Sequence, residues 1–433
     1  MHKTNRVFFM KKSKVNLPFI LFIFSLCFLS FILGAVLVRF NVFGSSESDA
    51  ISRRLTNATE RPGPHHLFPI RYPDSGVKVH NRDKVCPGVT LLTSYWKNRD
   101  WSAGIRLIDR DGNTLHHWEI KAKELWPVSP YDDYVTGTKN TNGNYVHGTF
   151  LYPNGDIVFN IEYLGLFRMN SSGKVLWKLK YRTHHSVFRD EDGNFWVPGC
   201  KFVNKNSERR HDFPFMRPVF TEETILKVSP EGKILKEISV LESVVKSEFQ
   251  HLLWHYDRLT GDVHHLNDIQ VLGSDMADSF PLFDPGDLLI SSRHLHFVAV
   301  LDPDGRIKWA LPGIFTFQHD PDFESDGWIT VFDNRSGLGQ SLIRAIKPDD
   351  GRINTLYPVS LEQQFYTITG GKHQKLKNGN RLITEATAGR VFEITPRGET
   401  VWEWINTPYS EKLVPEVLEG TRYDLDKKTI ENW

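Results

Sequence analysis

Three histidines in this chain stand seven residues before a turn-forming dipeptide, Asn-Gly or Asp-Gly. They are His147 with Asn154-Gly155, His185 with Asp192-Gly193, and His319 with Asp326-Gly327. A strand-like apolar stretch follows each dipeptide, and its glycine supplies the positive φ that a tight hairpin needs. Circular repeat folds place equivalent residues at one height around a common axis. The repeated spacing therefore predicts that the three histidines converge.

Two polar clusters lie beside predicted strands in the middle of the chain. They are His264-His265-Leu266-Asn267-Asp268 and Ser291-Ser292-Arg293-His294. An inward-pointing arginine behind an apolar strand is costly unless an anion meets it, and its fork of donors suits planar oxyanions. Imidazoles can attack, donate or accept near neutral pH. Three histidines with Arg293 predict an anion-transfer site for phosphate, sulfate or carboxylate.

The elements that must position these residues come from a second repeat. Six glycines lie in turns between an apolar strand end and another apolar run. They are Gly112, Gly173, Gly232, Gly305, Gly351 and Gly398. Together with the histidine repeat they indicate four short strands per unit. We therefore predict an all-β fold, a six-bladed β-propeller, over residues 85–410, with a C-terminal tail at 411–433. A pair of β-sandwiches is the alternative, but sandwiches do not repeat a turn in this way.

Composition is consistent with this fold and excludes some partners. Aromatic residues make up 12% and charged residues 24% of the chain, which is a β-rich globular profile. A net charge of +1 gives no basic surplus, so we expect no nucleic-acid partner. Between Gly232 and Gly305 the spacing is longer than elsewhere, and residues 236–258 are predicted to be an inserted helical segment.

The N-terminus carries a predicted membrane anchor. Residues 15–38 contain no charge, and five positive charges precede them against Arg39 after them. The length matches a bilayer core of about 30 Å, and the charge bias predicts a cytoplasmic tail at 1–14 with the propeller on the extracytoplasmic side. A cleaved signal peptide is the alternative, although the apolar run exceeds the usual h-region. Residues 39–84 then form a polar stalk.

This compartment bears on modification and on the cysteines. Three sequons, at Asn57, Asn170 and Asn334, are candidate glycosylation sites if the host glycosylates. Cys86 and Cys200 would lie in an oxidising compartment, where a disulfide between them is expected; two buried free thiols are the alternative. No Cys-x-x-Cys or zinc spacing occurs, and we predict no cofactor or metal.

Taken in order, the polar clusters resemble the bacterial arylsulfate sulfotransferases. The stretches that carry the resemblance are Thr183-His184-His185-Ser186, His265-Leu266-Asn267-Asp268, Ser291-Ser292-Arg293-His294, Gln318-His319-Asp320 and Val331-Phe332-Asp333-Asn334. It covers about residues 88–407. Any one stretch would be weak evidence, whereas their combined order is specific.

The resemblance implies a six-bladed propeller that moves a sulfuryl group from a phenolic sulfate ester to another phenol, without a nucleotide donor. It implies that His319 is transiently sulfated, and that His185, His265 and Arg293 hold the sulfuryl oxygens and help the phenolate leave. Sulfuryl transfer, like phosphoryl transfer, depends mostly on positioning and electrostatics. The stretch from His265 to Arg293 is longer than the family's pattern. The family's proteins are usually exported soluble or peripheral enzymes, whereas this chain is predicted to be anchored.

Other polar and aromatic residues have structural interpretations. His184 and His264 alternate to the opposite strand face and are predicted to be structural; His147 is interpreted as channel lining. His294 and His296 could equally be core histidines. The tryptophans after the turn glycines are interpreted as blade-packing residues; they are Trp177, Trp309 and Trp402.

Two other function classes compete with the sulfotransferase. One is a non-enzymatic, membrane-anchored propeller that binds a ligand or acts as a scaffold. Such a protein has no reason to keep an inward-pointing arginine at position 293. The other is a metal-dependent hydrolase, which would need several carboxylates converging on the axis. The predicted set is histidine and arginine, so the hydrolase is the weakest of the three.

Overall fold

The computed structural model describes residues 17–39, 66–127, 130–131, 145–255 and 259–433, and for residues 17, 19–20 and 34–39 it describes the backbone alone. The chain divides into two compact units, residues 1–63 and 64–433. The predicted cytoplasmic tail, most of the predicted stalk and the sequon at Asn57 lie outside the described residues.

The first unit contains one helix, α1 (Leu17–Arg39), which overlaps the predicted span at 15–38. The leucine, phenylalanine and isoleucine side chains between residues 21 and 33 are exposed. Among the residues described in both backbone and side chain, no helix is long and apolar enough to cross a membrane. The transmembrane anchor therefore stays a prediction.

The second unit is a six-bladed β-propeller of antiparallel sheets, as predicted. Blade 1 comprises β28 (Val417–Tyr423), β3 (Val89–Lys97), β4 (Trp101–Ile108) and β5 (Thr114–Glu119). Blade 2 comprises β6 (Val146–Leu151), β7 (Ile157–Ile161), β8 (Gly165–Met169) and β9 (Val175–Leu179). Blade 3 comprises β10 (Arg182–Thr183), β12 (Phe195–Val203), β13 (Phe220–Val228) and β14 (Ile234–Ser239), with β11 (Phe188–Arg189) also paired to β12.

The remaining blades follow in chain order. Blade 4 comprises β15 (Leu266–Val271), β16 (Leu288–Ser292), β17 (Phe297–Leu301) and β18 (Ile307–Pro312). Blade 5 comprises β19 (His319–Phe323), β20 (Ile329–Asp333), β21 (Leu342–Ile346) and β22 (Ile353–Tyr357). Blade 6 comprises β23 (Lys372–Lys375), β24 (Arg381–Glu385), β25 (Arg390–Ile394), β26 (Thr400–Ile405) and β2 (Gly76–His80).

Short elements complete the unit. They are β1 (Leu67–Pro69) paired with β27 (Leu413–Pro415), the α-helices α2 (Ala122–Leu125), α3 (Val240–Val245) and α4 (Lys427–Glu431), and 3-10 turns at Glu208–His211, Glu248–His255, Ala277–Ser279 and Ala386–Ala388. The helical insertion is confirmed, but it begins later than residue 236, because β14 continues to Ser239. Its last residues, 256–258, lie outside the described part.

The ring is closed from both ends of the chain, and this corrects the predicted domain limits. Strand β28 pairs with β3 as the first strand of blade 1, and β2 pairs with β26 as the last strand of blade 6. The propeller therefore extends beyond 85–410 at both ends, and much of the predicted tail at 411–433 is part of a blade. Contacts between the first strands of neighbouring blades run around the ring, with β11 taking this place in blade 3.

Glycines in hairpin turns shape the blades, and tryptophans connect neighbouring blades, as the sequence predicts. Gly155 and Gly327 adopt φ values of +82° and +79°, the left-handed region that favours glycine. Each predicted blade-packing tryptophan packs against a neighbouring element. Trp177 of blade 2 donates its Nε1–H to the Pro230 carbonyl of blade 3 at 2.8 Å. Trp402 of blade 6 does the same to the Arg110 carbonyl of blade 1 at 2.8 Å.

The two cysteines of the propeller are separate free thiols, so the predicted disulfide is wrong. Cys86 precedes β3 and packs in the core between blades 1 and 6, whereas Cys200 lies on β12 of blade 3. Both thiols are buried. A disulfide needs Cα atoms within about 7 Å, and the two cysteines belong to blades that are not neighbours.

Candidate active site

The predicted site residues come together at one end of the propeller axis. His147 is the second residue of β6, His185 follows β10, His265 precedes β15, and His319 begins β19. Ring centroids of His147 and His185 are 4.4 Å apart, and those of His185 and His265 are 4.9 Å apart. Arg293, which follows β16, is held beside His265 by its backbone N–H, which donates to the His265 carbonyl at 3.0 Å. His319 is near enough to contribute to the lowered pKa of His147 and of His185, so the structure brings the three histidines of the repeated spacing together.

The tautomer of His319 is set by its hydrogen bonds. Its Nδ1 lies 2.7 Å from Asn334 Oδ1 and 3.0 Å from the Phe317 carbonyl oxygen. The Asn334 amide cannot be reversed, because its Nδ2 donates to the carbonyls of Thr367 and Gly370 at 3.1 and 2.7 Å. Both atoms facing Nδ1 are acceptors, so Nδ1 carries the proton and Nε2 keeps the lone pair.

Asn334 is therefore a site residue and not a glycosylation site, contrary to prediction. Its side chain is completely buried and its amide is used in three hydrogen bonds. A glycan needs an exposed amide nitrogen. Asn170 is different: it lies partly exposed after β8, so its modification stays a prediction. The sequon identified the residue, but a sequon carries no information about burial.

The imidazoles of the site are held neutral. Burial, followed by the charge of Arg293, lowers the pKa of His319 to about 3. Burial is also the first cause that lowers the pKa of His147 and His185 well below 6.5, with neighbouring imidazoles adding to it. A neutral imidazole with a free Nε2 can act as a nucleophile at neutral pH.

His265 has a carboxylate partner that sequence analysis did not identify. Its Nδ1 donates to Asp262 Oδ2 at 2.5 Å, and its backbone N–H donates to Asp262 Oδ1 at 2.8 Å. Burial acts to raise the pKa of Asp262, but the hydrogen bonds and charges of His265 and His294 more than offset it, so this pKa is lowered. Asp262 is thus ionised behind His265 and would stabilise an imidazolium there. The i, i+3 spacing of these residues was the available signal.

Arg293 lies in a polar and aromatic environment. Its Nη1 donates to Thr369 Oγ1 at 3.2 Å, its Nη2 contacts His294 Nε2 at 2.9 Å, and its guanidinium carbon lies 5.6 Å from the centre of the Phe317 ring. His294 also places its Nδ1 2.8 Å from the Asp262 carbonyl oxygen. His294 is therefore part of the site's hydrogen-bonded frame.

His184 is in contact with the site, although we expected it on the opposite strand face. Its Nδ1 lies 2.8 Å from Nδ1 of His185, and its Nε2 lies 3.0 Å from Oε2 of Glu223. The alternation of strand faces does not apply here, because β10 ends at Thr183 and His185 adopts a φ of +54°. The carbonyl of His185 is fixed by Asn160 Nδ2 at 2.5 Å and by the Gly148 N–H at 2.6 Å.

Three carboxyl groups near His319 interact with one another: Asp268 and Asp320, which are buried, and Asp322, which is half-buried. Burial is the first cause that raises the pKa of Asp268 and Asp322 to about 7 and that of Asp320 to about 8. Asp320 Oδ2 accepts the backbone N–H of His373 at 2.5 Å. The Phe317 carbonyl and Asn334 therefore fix the tautomer of His319, whereas the Asp320 carboxylate accepts from His373.

Three groups in the described part of the chain have ligand atoms within 4.8 Å of one another and could hold a metal ion. They are His147, Glu162 and His185; Asp262, His265 and His294; and Asp320, Asp322 and His373. The first two groups include four histidines of the candidate site: His147, His185, His265 and His294. In the second, the Nδ1 atoms of both histidines already face oxygen atoms of Asp262.

A family model for arylsulfotransferase (ASST) matches residues 148–407. The chain belongs to the arylsulfotransferase family. The match covers most of blade 2, all of blades 3 to 5 and four of the five strands of blade 6, and it includes His185, His265, Arg293 and His319. His147 lies one residue before it.

Comparisons with curated proteins and with solved structures do not narrow the function further. No curated protein matches the arylsulfotransferase chain. A protein of unknown function from Bacteroides caccae is 15% identical, with a TM-score of 0.48 over 76% of this chain and 99% of its own. A virginiamycin B lyase from Staphylococcus aureus is 14% identical, with a TM-score of 0.37 over 62% and 72%. TolB from Acinetobacter baumannii is 12% identical, with a TM-score of 0.42 over 77% and 67%. Similarity at this level does not bear on activity.

Proposed function

We propose that the protein moves a sulfuryl group from a phenolic sulfate ester to a phenolic acceptor, with His319 as the transiently sulfated nucleophile. The observation that carries this proposal is the fixed tautomer of His319. Nδ1 faces two acceptors, Asn334 Oδ1 and the Phe317 carbonyl, so Nε2 is the attacking atom. When Nε2 binds sulfur, the ring becomes cationic and the same two acceptors stabilise it.

The sulfuryl oxygens would be held from the neighbouring blades. Arg293 supplies the positive charge in a planar fork, which suits an oxyanion better than a point charge does. His265 keeps its Nδ1 proton on ionised Asp262, so an anion at Nε2 would favour its protonated, donating form. The ring centres of His185 and His265 are 4.9 Å apart, so His185 would contact the sulfuryl group from the same side as His265. Donors arranged in advance around developing charge are the main source of catalysis in such transfers.

The test is to incubate the protein with 4-nitrophenyl sulfate in the absence of a phenol. We expect sulfate mass on the peptide that contains Gln318-His319-Asp320, and its transfer when a phenol is added. His319→Ala should remove both the adduct and turnover, and His319→Asn should do so with less disturbance of packing. An active His319→Ala protein, or an adduct on another residue, would contradict the assignment. Binding of aryl sulfates without turnover would favour the non-enzymatic alternative.

We also propose that residues 15–38 anchor the protein and that the propeller lies outside the cytoplasm. The proposal rests on the uncharged stretch and on the five preceding positive charges, which the positive-inside rule places in the cytoplasm. Protease added to sealed membranes from the cytoplasmic side should leave the propeller intact. Digestion of the propeller in intact vesicles would overturn this topology.

A further inference from the structure

One carboxyl group of the channel has no part in the arrangement described so far. Glu162 directly follows β7, and its backbone N–H donates to the Tyr145 carbonyl at 3.0 Å. Its carboxylate lies within 4.8 Å of ring nitrogens of His147 and His185. Glu162 is partly exposed, and among the residues that the structure describes its carboxylate makes no hydrogen bond or ion pair. A bound substrate could therefore contact it.

The position of Glu162 in the ring matches the geometry of the reaction. His319 belongs to blade 5 and Glu162 to blade 2, and blades three places apart in a ring of six face each other across the axis. In an in-line displacement, the attacking and departing atoms lie on opposite sides of the transferred group. A sulfuryl group attacked by His319 therefore presents its phenolic oxygen toward blade 2. His265 and Arg293, on blade 4 beside blade 5, lie to the side, where the sulfuryl oxygens are.

The protonation states also distinguish Glu162 from its neighbours. The groups that face it are His66, His147, His184, His185, Glu416 and Arg293. Burial lowers the pKa of His147, His184 and His185, so these imidazoles are not acids at neutral pH. Burial raises the pKa of Glu162, so its carboxyl keeps a proton more readily than an exposed one. The pKa of His66 is also raised, but its Nδ1 is engaged with the Glu416 carboxylate at 2.5 Å. The Glu162 carboxyl is therefore better placed to give a proton to a substrate and take it back.

We propose that Glu162 is the general acid and general base of the two half-reactions, acting on the phenolic oxygen. The inference rests on the proposed sulfotransferase function. In the first half-reaction the bond between Nε2 of His319 and sulfur forms, and the bond between sulfur and the aryl oxygen breaks. The electron pair stays on the aryl oxygen, which takes the proton of Glu162 and leaves as a phenol. The products are sulfated His319 and the Glu162 carboxylate.

The second half-reaction reverses these steps with the acceptor. The Glu162 carboxylate takes the proton of the acceptor phenol as its oxygen attacks sulfur, and the bond between sulfur and Nε2 breaks. His319 returns to its neutral form with the proton on Nδ1, and Glu162 is again protonated. Charge and protons balance over the cycle, and no further reactant is needed.

The test compares donors whose leaving groups differ in basicity. For Glu162→Gln we expect the first half-reaction with phenyl sulfate to slow by roughly 100-fold or more, the usual size of general acid catalysis. With 4-nitrophenyl sulfate, whose leaving group needs little protonation, the rate of the first half-reaction should fall by less than about tenfold. Transfer from the sulfated enzyme to unsubstituted phenol should slow as much as the phenyl sulfate reaction. A purely structural role would slow both donors equally.

Two variants serve as controls. Asp156→Asn changes a carboxyl at the other end of the same strand, where it pairs with Arg168 at 2.7 Å, and should leave both donors unaffected. Asp320→Asn tests whether the carboxyl group next to His319 in the sequence is the proton source instead. The proposal is overturned if Glu162→Gln slows both donors equally, or if Asp320→Asn alone shows the dependence on leaving group. A wild-type protein that transfers no sulfuryl group from either donor would instead contradict the proposed function.

Discussion

Asn334 offers a direct test of how the proposed nucleophile, His319, is prepared, because its side chain contacts the His319 ring. The change is Asn334→Ala. It removes the acceptor 2.7 Å from His319 Nδ1 and leaves only the Phe317 carbonyl at 3.0 Å. The ring can then rotate or exchange its tautomer, and a fraction of His319 no longer directs the Nε2 lone pair at sulfur.

The change also costs stability by a separate route. The Gly370 carbonyl loses the donor that Asn334 Nδ2 provides at 2.7 Å, whereas the Thr367 carbonyl loses it at 3.1 Å but keeps Ser341 Oγ at 3.4 Å. A buried acceptor left without a partner costs about 1–3 kcal/mol, so we expect a loss of about that size in the free energy of unfolding. A protein of ordinary stability, about 5–15 kcal/mol, would remain largely folded under assay conditions.

The effect on catalysis is expected in the rate and not in binding. Residues that orient a reacting histidine typically contribute 10- to 100-fold, and we expect this fall in the rate constant of the nitrophenol burst with 4-nitrophenyl sulfate and no acceptor. The burst amplitude, scaled to folded protein, should stay at about one per site, and KM should change by less than about threefold. Stopped-flow absorbance measures both quantities.

Ser341→Ala is the matched control, because it weakens the same loop without contacting His319. Ser341 Oγ donates to the Asn334 carbonyl at 3.0 Å and accepts the Thr367 N–H at 3.1 Å. It should lower the free energy of unfolding by about 1–3 kcal/mol and leave the burst rate unchanged. If Asn334→Ala destabilises the protein but its burst rate matches that of wild type, the tautomer argument fails.

Other perturbations follow from the same structure. Arg293→Lys should lower the rate of enzyme sulfation by about 100-fold, because one point charge replaces a fork of donors aimed at the oxyanion; single-turnover kinetics measure this. Asp320, whose pKa burial raises to about 8, keeps its proton in the folded state where the unfolded chain has lost it, so it destabilises the fold increasingly as pH rises from about 4 to 8. Asp320→Asn should therefore gain stability relative to wild type between pH 5 and pH 8 in urea titrations, and a difference that does not change with pH would contradict this. Cys86 and Cys200 should both be alkylated in the unfolded, non-reduced protein and be found on unlinked peptides by mass spectrometry.

The local features of this fold could be predicted because they are encoded over a few residues. The turn glycines and the histidines seven residues before them identified the blades and the convergence of His147, His185 and His319. Ring closure could not be predicted in the same way. Strand β28 pairs with β3, which lies more than three hundred residues earlier in the chain. Nothing in the sequence of β28 indicates which strand it pairs with.

The site residues that were missed depend on register and conformation. Glu162 enters the channel because β6 and β7 pair with Val146 opposite Ile161, and this register is not evident from sequence. His184 was assigned to the wrong face because alternation was extended past Thr183, whereas His185 has left-handed backbone geometry. Such conformations are held by their surroundings, here by the bonds to the His185 carbonyl, and they concentrate at functional sites.

The distribution of the site over the ring would explain why the proposed transfer needs a whole propeller. The proposed nucleophile, His319, lies on blade 5 and the proposed acid, Glu162, on the opposite blade 2. The proposed donors to the sulfuryl oxygens, His185, His265 and Arg293, lie on blades 3 and 4 between them. A single sheet cannot place groups on both sides of a sulfur atom. Closure by strands from the two ends of the chain falls on blades 1 and 6. The strand pairs that close the ring are therefore separate from blades 2 to 5, which would supply the reacting groups. Ring closure fixes the distance between blades 2 and 5.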